Sequence, residues 1–530
     1  MGQSIDSDYP AQQSLKMKTN INRRDFLKAG TVTAIGAAVL PHALTACSTT
    51  PAKIGSNMTI HDYLEHFGVS EALIQQIIAE GLAKGGDYCD VFFQHSIANY
   101  IGLEDNAVNR AYSDVSFGVG IRVLKGDQTG YSFSEEVSAE AMKSAARTAA
   151  SIANSGTTKA TVAFTTPKLP SYYKINTPWE KVSINEKIPY LQQVNEKVFS
   201  LDGRVIKSNV WFNDETSYVL FANSEGRLTC DYQPMAQLSV SVTAEQNGQK
   251  EQNYFDYSGR RGIEFFTPEA INTLATEAVK RTVSLFDAVK PKAGELPVVL
   301  AAGSSGILLH EAIGHGMEAD FNRKGTSIFS DKMGKQVAKD FVSIVDDGTN
   351  PNIRGSINVD DEGNDTQKTY LVEGGTMASY LHDRISAKHY GVKPTGNGRR
   401  ESFRHMPMPR MRNTYMENGP HKKDEIIESV KYGVYAESFS NGQVMIGAGD
   451  FTFYVKSGYL IEDGKLTRPI KDINIIGNGP KVLADIEMVA DDLKMAEGGW
   501  TCGKNGQGVP VSQGLPTVKV SKITVGGVNA

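Results

Sequence analysis

The sequence predicts an α+β fold with antiparallel sheets and a strand-rich final block. Three observations carry this. Val115, Phe117, Val119, Ile121 and Val123 alternate with small or polar residues, the period-2 pattern of a half-buried strand. Helical faces flank such runs, as at Met142, Ala145, Ala149 and Ile152. Glycine and strand-like runs dominate from about residue 291 onward. With 530 residues, 40% apolar and 22% charged, the chain is long enough for two or three domains with sizeable cores. That composition excludes disordered and collagen-like classes, and four cysteines are too few for a disulfide scaffold.

Residues 1–46 read as an export label. Asn22-Arg23-Arg24-Asp25-Phe26-Leu27-Lys28 precedes a weakly apolar stretch, Ala29 to Leu44, which Pro41 and His42 make too short and too broken to span a bilayer. Two adjacent arginines before such a segment resemble a twin-arginine signal. Leu44-Thr45-Ala46-Cys47 is similar to a lipobox, in which Cys47 is diacylated, becomes the new N-terminus and anchors the chain to a membrane. Residues 47–58 then form a polar tether. The twin-arginine route carries folded proteins, so the signal hints at a site loaded before export. The expected location is periplasmic or at the cell surface.

Three blocks follow. In 59–154, Ser70 is placed to cap a helix over Ala72–Ala83, the alternating strand comes next, and Ser138 opens a second helix. Residues 155–182, with Pro167, Pro170 and Pro178, form a linker. In 183–290 a helix near Asn185–Phe199 leads into a strand meander turning at Asn223-Ser224-Glu225-Gly226 and Asn247-Gly248. Leu238, Val240, Val242 and Ala244 alternate within it, and Thr267-Pro268 starts a closing helix that runs to Phe286. The block 291–530 holds strand-like runs at Phe451–Val455 and Tyr459–Ile461 and a hairpin signal at Asp463-Gly464.

The chemistry lies at the head of this last block. Val298-Val299-Leu300 is a short buried strand that turns through Gly303-Ser304-Ser305-Gly306 into a helix carrying His310-Glu311-Ala312-Ile313-Gly314-His315. The histidines are five apart, not the four of the common zinc peptidases. In a regular α-helix, positions i and i+5 point about 140° apart, against about 40° for i and i+4. Two devices bring i and i+5 together: a π-turn, or a helix that ends at Gly314 and Gly316. A catalytic zinc needs three protein ligands and an open position. His382, His389, His405 and Cys502 are all available as the third. Cys502 stands out because Gly498-Gly499-Trp500-Thr501-Cys502-Gly503 lets backbone pack close to a metal. Glu311 sits where a general base would. Cys89 and Cys230 lie in strand-like stretches and read as small buried hydrophobes.

The run from His310 to Ser327 resembles the signature of the TldD/PmbA metalloprotease family. So do Asp346-Asp347-Gly348 through Arg354-Gly355, Asp360-Asp361-Glu362-Gly363, Gly396-Asn397-Gly398-Arg399-Arg400-Glu401 and His405-Met406-Pro407-Met408-Pro409-Arg410-Met411. The resemblance implies zinc, one per chain, held by His310, His315 and Cys502, with Glu311 as the catalytic base. It implies an N-terminal α/β domain with an antiparallel sheet and a β-rich, barrel-like C-terminal metallopeptidase domain. It further implies the TldD kind, which keeps HExxxH, acting on small or unfolded peptides inside a homodimer or a heterodimer with a PmbA/TldE-like subunit.

Arg399, Arg400, Arg404, Arg410 and Arg412 cluster within fourteen residues. The charge of −5, or −7 for the 50 basic and 57 acidic residues beyond position 46, argues against nucleic acid as their partner. Arg399, Arg400, His405 and Arg410 are instead candidates to bind peptide carbonyls or a C-terminal carboxylate. Two other readings stay open on sequence alone: a non-enzymatic peptide-binding lipoprotein with a structural or vacant metal site, and a zinc amidase acting on cell-wall peptides.

Overall fold

Thr59 and Ser70 each accept a hydrogen bond from the backbone N–H three residues on, and so start α1 (Ile60–Phe67) and α2 (Glu71–Leu82). The computed structural model describes residue 55, residues 57–153 and residues 160–526, all within one compact unit. The twin-arginine segment, the lipobox and Cys47 lie outside the described residues.

The alternation around Val119 belongs to a strand longer than the run itself. Strands β1 (Tyr88–Glu104), β2 (Ala107–Lys125) and β3 (Gln128–Ser134) form an antiparallel meander. Ser138 caps α3 (Ala139–Ala150), whose Met142, Ala145 and Ala149 are buried. The pattern then recurs with α4 (Ile184–Leu201), β4 (Val205–Asn223), β5 (Leu228–Gln246), β6 (Gln249–Gly259) and α5 (Pro268–Val283). Asn247 and Gly248, both at positive φ (53° and 79°), make the two-residue turn between β5 and β6.

The two sequence blocks share one sheet. β1 pairs with β4 from Asp90↔Asn223 to Glu104↔Asn209, giving a six-stranded antiparallel half-barrel in the order β3-β2-β1-β4-β5-β6. Period-2 geometry sorts its two faces. Val91, Phe93, Ile121, Leu220 and Val240 point at the helices and bury Ile77, Met142, Leu191 and Leu274. Phe92, Val219 and Phe221 point the other way and close over Phe403 of the last block. The described part of the linker, 160–182, is pinned to this sheet: Tyr173 and Trp179 are buried, and the Tyr173 hydroxyl reaches the Asp231 carboxylate.

The last block builds a closed five-stranded barrel. β7 (Gly294–Leu300) runs parallel to β8 (Tyr432–Met445) and antiparallel to β11 (Val518–Val525). The ring continues through β10 (Ile473–Asn478) and β9 (Asp450–Glu462), and β9 pairs with β8 to close it. The runs Phe451–Val455 and Tyr459–Ile461 are thus parts of one strand, because the barrel wall supplies partners along its whole length. Beside the barrel lies a second sheet, in which Ile344–Asp347, Asn413–Met416 and Gln507–Leu515 are neighbours.

A buried charge knot ties the half-barrel to the last block. Arg122 on β2 donates to Asp90 (2.8 Å) and to Glu362 (2.6 Å), and Glu362 also accepts the Arg384 backbone N–H (2.6 Å). The Arg122, Asp90 and Glu362 side chains are at most 1% exposed.

Candidate metal centre

Past β7 the chain makes a tight turn at Ser304–Gly306 and one short helical turn at Ile307–Leu309, and then widens. His310–Gly314 is a π-helical turn, and the His315 N–H donates to the His310 carbonyl, five residues back. Of the two devices open on sequence, the π-turn is the one used. It brings the imidazoles together with ring centroids 5.1 Å apart and planes at 85°. Gly314 is needed inside it, because a Cβ there would collide with the Met411 sulfur.

Cys502 completes the cluster from the far end of the chain. Its strand, Trp500–Lys504, pairs with Gln507–Leu515, and period-2 alternation turns Cys502 and Lys504 inward and Thr501 and Gly503 outward. Cys502 Sγ lies 3.4 Å from His315 Nε2, and the donor atoms of His310, His315 and Cys502 fall within 4.8 Å of one another. All three residues are buried. Glu311, on the same π-turn, is the partly exposed group here, with Oε2 3.8 Å from His315 Nε2. The other three candidates for the third ligand lie elsewhere. His382 packs between Tyr380 and Tyr390, His389 packs on Tyr390, and His405 Nδ1 is 3.0 Å from Ser402 Oγ.

The cluster is held from behind. Glu318 Oε2 is 2.9 Å from His315 Nδ1, which leaves Nε2 facing Cys502 and Glu311. Lys504 Nζ sits 3.1 Å from Glu318 and 2.7 Å from Asp320, and donates to the Pro409 carbonyl (3.0 Å). Arg410 donates from one guanidinium fork to the carbonyls of Cys502 and Gln507, fixing the register of the terminal hairpin. Charge follows this wiring. Burial pushes the Cys502 thiol up, but His310 and His315 outweigh it and hold it well below its usual range. Burial likewise opposes ionisation of Glu318, yet Lys504 and His315 bring its carboxyl down to about 2. By contrast, burial raises the thiols of Cys89 and Cys230, as expected of inert packing residues. Two imidazoles and a thiolate at this spacing suit zinc, and His310 Nδ1 is buried without a hydrogen-bond partner among the described residues.

The arginine candidates divide. Arg410 is a positioning residue for the hairpin and is fully buried. Arg399 and Arg400 line a cavity of about 360 Å³ between β1, β4 and β5 of the half-barrel and the last block. There Arg399 donates to the Met411 carbonyl (2.7 Å), and Arg400 binds the Asp361 carbonyl (2.7 Å) while stacking over Phe92. His405 belongs to the loop that inserts Phe403 between Phe92, Val219 and Phe221. Sequence reading missed Glu318 and Lys504. The spacing of three between His315 and Glu318 was the available signal for the first, since a π-turn followed by a tight turn puts them side by side.

A barrel that seats paired histidines against a cysteine hairpin, with a carboxylate beside them, has the layout of a metallopeptidase. Comparisons with known proteins carry this further. Residues 293–527 match the PmbA/TldA metallopeptidase C-terminal domain, residues 89–153 match domain 1, and residues 177–286 match the central domain. A metalloprotease TldD homolog from Buchnera aphidicola is 41% identical over 448 residues, covering 83% of this chain and 93% of its own. A zinc metalloprotease TldD homolog from Saccharolobus solfataricus is 29% identical over 446 residues, covering 84% and 97%. The crystal structure of TldE from Thermococcus kodakarensis shares the fold, with a TM-score of 0.68 at 20% identity over 86% of this chain and 100% of that one. The chain belongs to the PmbA/TldD metallopeptidase family.

Proposed function

We propose that the protein is a zinc-dependent peptidase of the TldD kind, hydrolysing small or unfolded peptides. The observation that carries this is the convergence of His310, His315 and Cys502 within 4.8 Å beside the partly exposed Glu311. Zinc held by those three residues supplies Lewis acidity toward a scissile carbonyl and lowers the pKa of water toward about 7. Glu311 takes the proton from the attacking water as its oxygen bonds to the carbonyl carbon. It returns that proton to the amine as the C–N bond breaks. Glu318 keeps His315 in the tautomer that presents Nε2, and Arg410 keeps Cys502 in register.

The working form in this reading is a homodimer, or a heterodimer with a TldE-like subunit, enclosing the centre; the fold shared with TldE supports it. The pair Arg23-Arg24 and the lipobox at Cys47 support export by the twin-arginine route and a lipid anchor. Glu311→Gln tests the chemistry. Peptide hydrolysis should fall by at least about a hundredfold while the zinc content per chain, read by atomic spectroscopy, stays at the parent level. Unchanged turnover would remove Glu311 from the mechanism.

A further inference from the structure

Besides Arg400, which lies 3.6 Å from Asp90, three guanidinium groups line the cavity between the half-barrel and the last block: Arg260, Arg354 and Arg399. None of them forms an ion pair among the described residues. Arg260 is 3% exposed and stacks over Tyr173, and its Nε is buried without a hydrogen-bond partner among the described residues. Arg354 meets only neutral groups: the Trp500 carbonyl (2.9 Å), Ser258 Oγ (2.8 Å) and Thr501 Oγ1 (3.4 Å). Arg399 spends one donor on the Met411 carbonyl.

Four carboxylates share the lining. Asp214 pairs with Lys187 (2.6 Å), and Glu401 accepts from the Gly508 backbone N–H (2.5 Å). Asp361 accepts from the Arg400 backbone N–H (2.8 Å), and Glu215 lies on β4 with no ion pair to the arginines. Burial raises Glu215 above its usual range, although Arg260 and Arg354 pull it down. Burial also pushes Arg399 down to about 9. Unpaired buried cations are costly, by several kcal/mol each after relaxation. A site that keeps two of them, Arg260 and Arg399, beside the partly exposed Arg354 is built for an anion. The planar forks favour a carboxylate, which accepts two parallel bonds from one guanidinium.

The cavity has one further property. Thr501 lines it, while the next residue, Cys502, faces the histidines. The two sites are therefore opposite faces of a single strand.

We propose that this cavity is a carboxylate pocket, anchored by Arg260 with Arg354 and Arg399 beside it, that takes the carboxyl end of a peptide. The assignment rests on the peptidase reading for the identity of the ligand, but not for the chemistry of the pocket. The test uses the full chain with Glu311→Gln to prevent turnover. Its probe is an alanine pentapeptide labelled at the amino end, made both as free acid and as carboxamide. The free acid should bind at least about tenfold tighter than the amide, because only it offers the fork a charged, two-point acceptor. Arg260→Gln should bring the two within twofold without changing the amide's affinity, and Arg260→Lys should restore part of the preference. Inorganic phosphate should compete with the acid and not with the amide. Equal binding of acid and amide, no binding of either, or a preference that survives Arg260→Gln would each overturn the proposal. Phosphate that binds at the arginines and is not displaced by the acid would overturn it too. An acid preference in a chain that, with Glu311 intact, hydrolyses no peptide would remove the peptidase reading and leave the pocket standing.

Discussion

Two arginine-bearing regions lie at the junction of the half-barrel and the last block, and they are wired in opposite ways. Around Arg122 the donors meet carboxylates, Asp90 on one side and Glu362 on the other, in a knot that is at most 1% exposed. Around Arg260, a few strands away, the same kind of side chain is as deeply buried and forms no ion pair among the described residues. Equal burial with unequal pairing separates a fastener from a receptor. The first is complete without any other molecule, and the second is not.

Substitutions can press on that contrast. Removing Arg122 leaves Asp90 and Glu362 as buried charges without their main partner. Arg122→Met should therefore cost about 3–5 kcal/mol in chemical denaturation. A loss below about 1 kcal/mol would mean the knot is not the fastener described.

The metal centre is wired like the knot, through Glu318 and Lys504. Glu318→Gln keeps the shape but removes the charge that orients His315, and zinc affinity measured against a competing chelator should fall about 10–100-fold. Unchanged affinity would show that His315 needs no orienting partner.

The smallest effect is expected at Arg260, where no pair is broken. Arg260→Gln should change unfolding free energy by no more than about 1 kcal/mol, and in the stabilising direction if the buried charge is a net cost. A loss as large as that of Arg122→Met would erase the distinction between the two regions.

Local signals carried some of this and not the rest. The alternation at Leu238–Ala244 and the Asn247-Gly248 turn gave β5 and its hairpin directly, because period and turn chemistry are written in adjacent residues. The union of the two N-terminal blocks into one sheet was not legible. It depends on β1 pairing with β4, whose partners lie more than a hundred residues apart and share no marker. At the centre, the spacing of His310 and His315 announced a distortion but allowed two forms of it, and only the His315 N–H bond to the His310 carbonyl decides for the π-turn. Cys502 was visible through its glycines. Arg260 was not: it sits in Gly259-Arg260-Arg261-Gly262, which reads as an ordinary exposed turn until tertiary packing buries it.

The closure of the barrel has a consequence for the order in which the molecule is made. β7 pairs with β11, Val298 with Val520, and His315 meets Cys502 across a sequence gap of 187 residues. Contacts of such long range form late, since the intervening chain must first lose its freedom. A metal held by His310, His315 and Cys502 would therefore not nucleate this fold in the way metal nucleates small zinc modules, whose ligands are near neighbours in sequence. It would come to a nearly finished protein, as the final lock on a structure that other forces have already assembled.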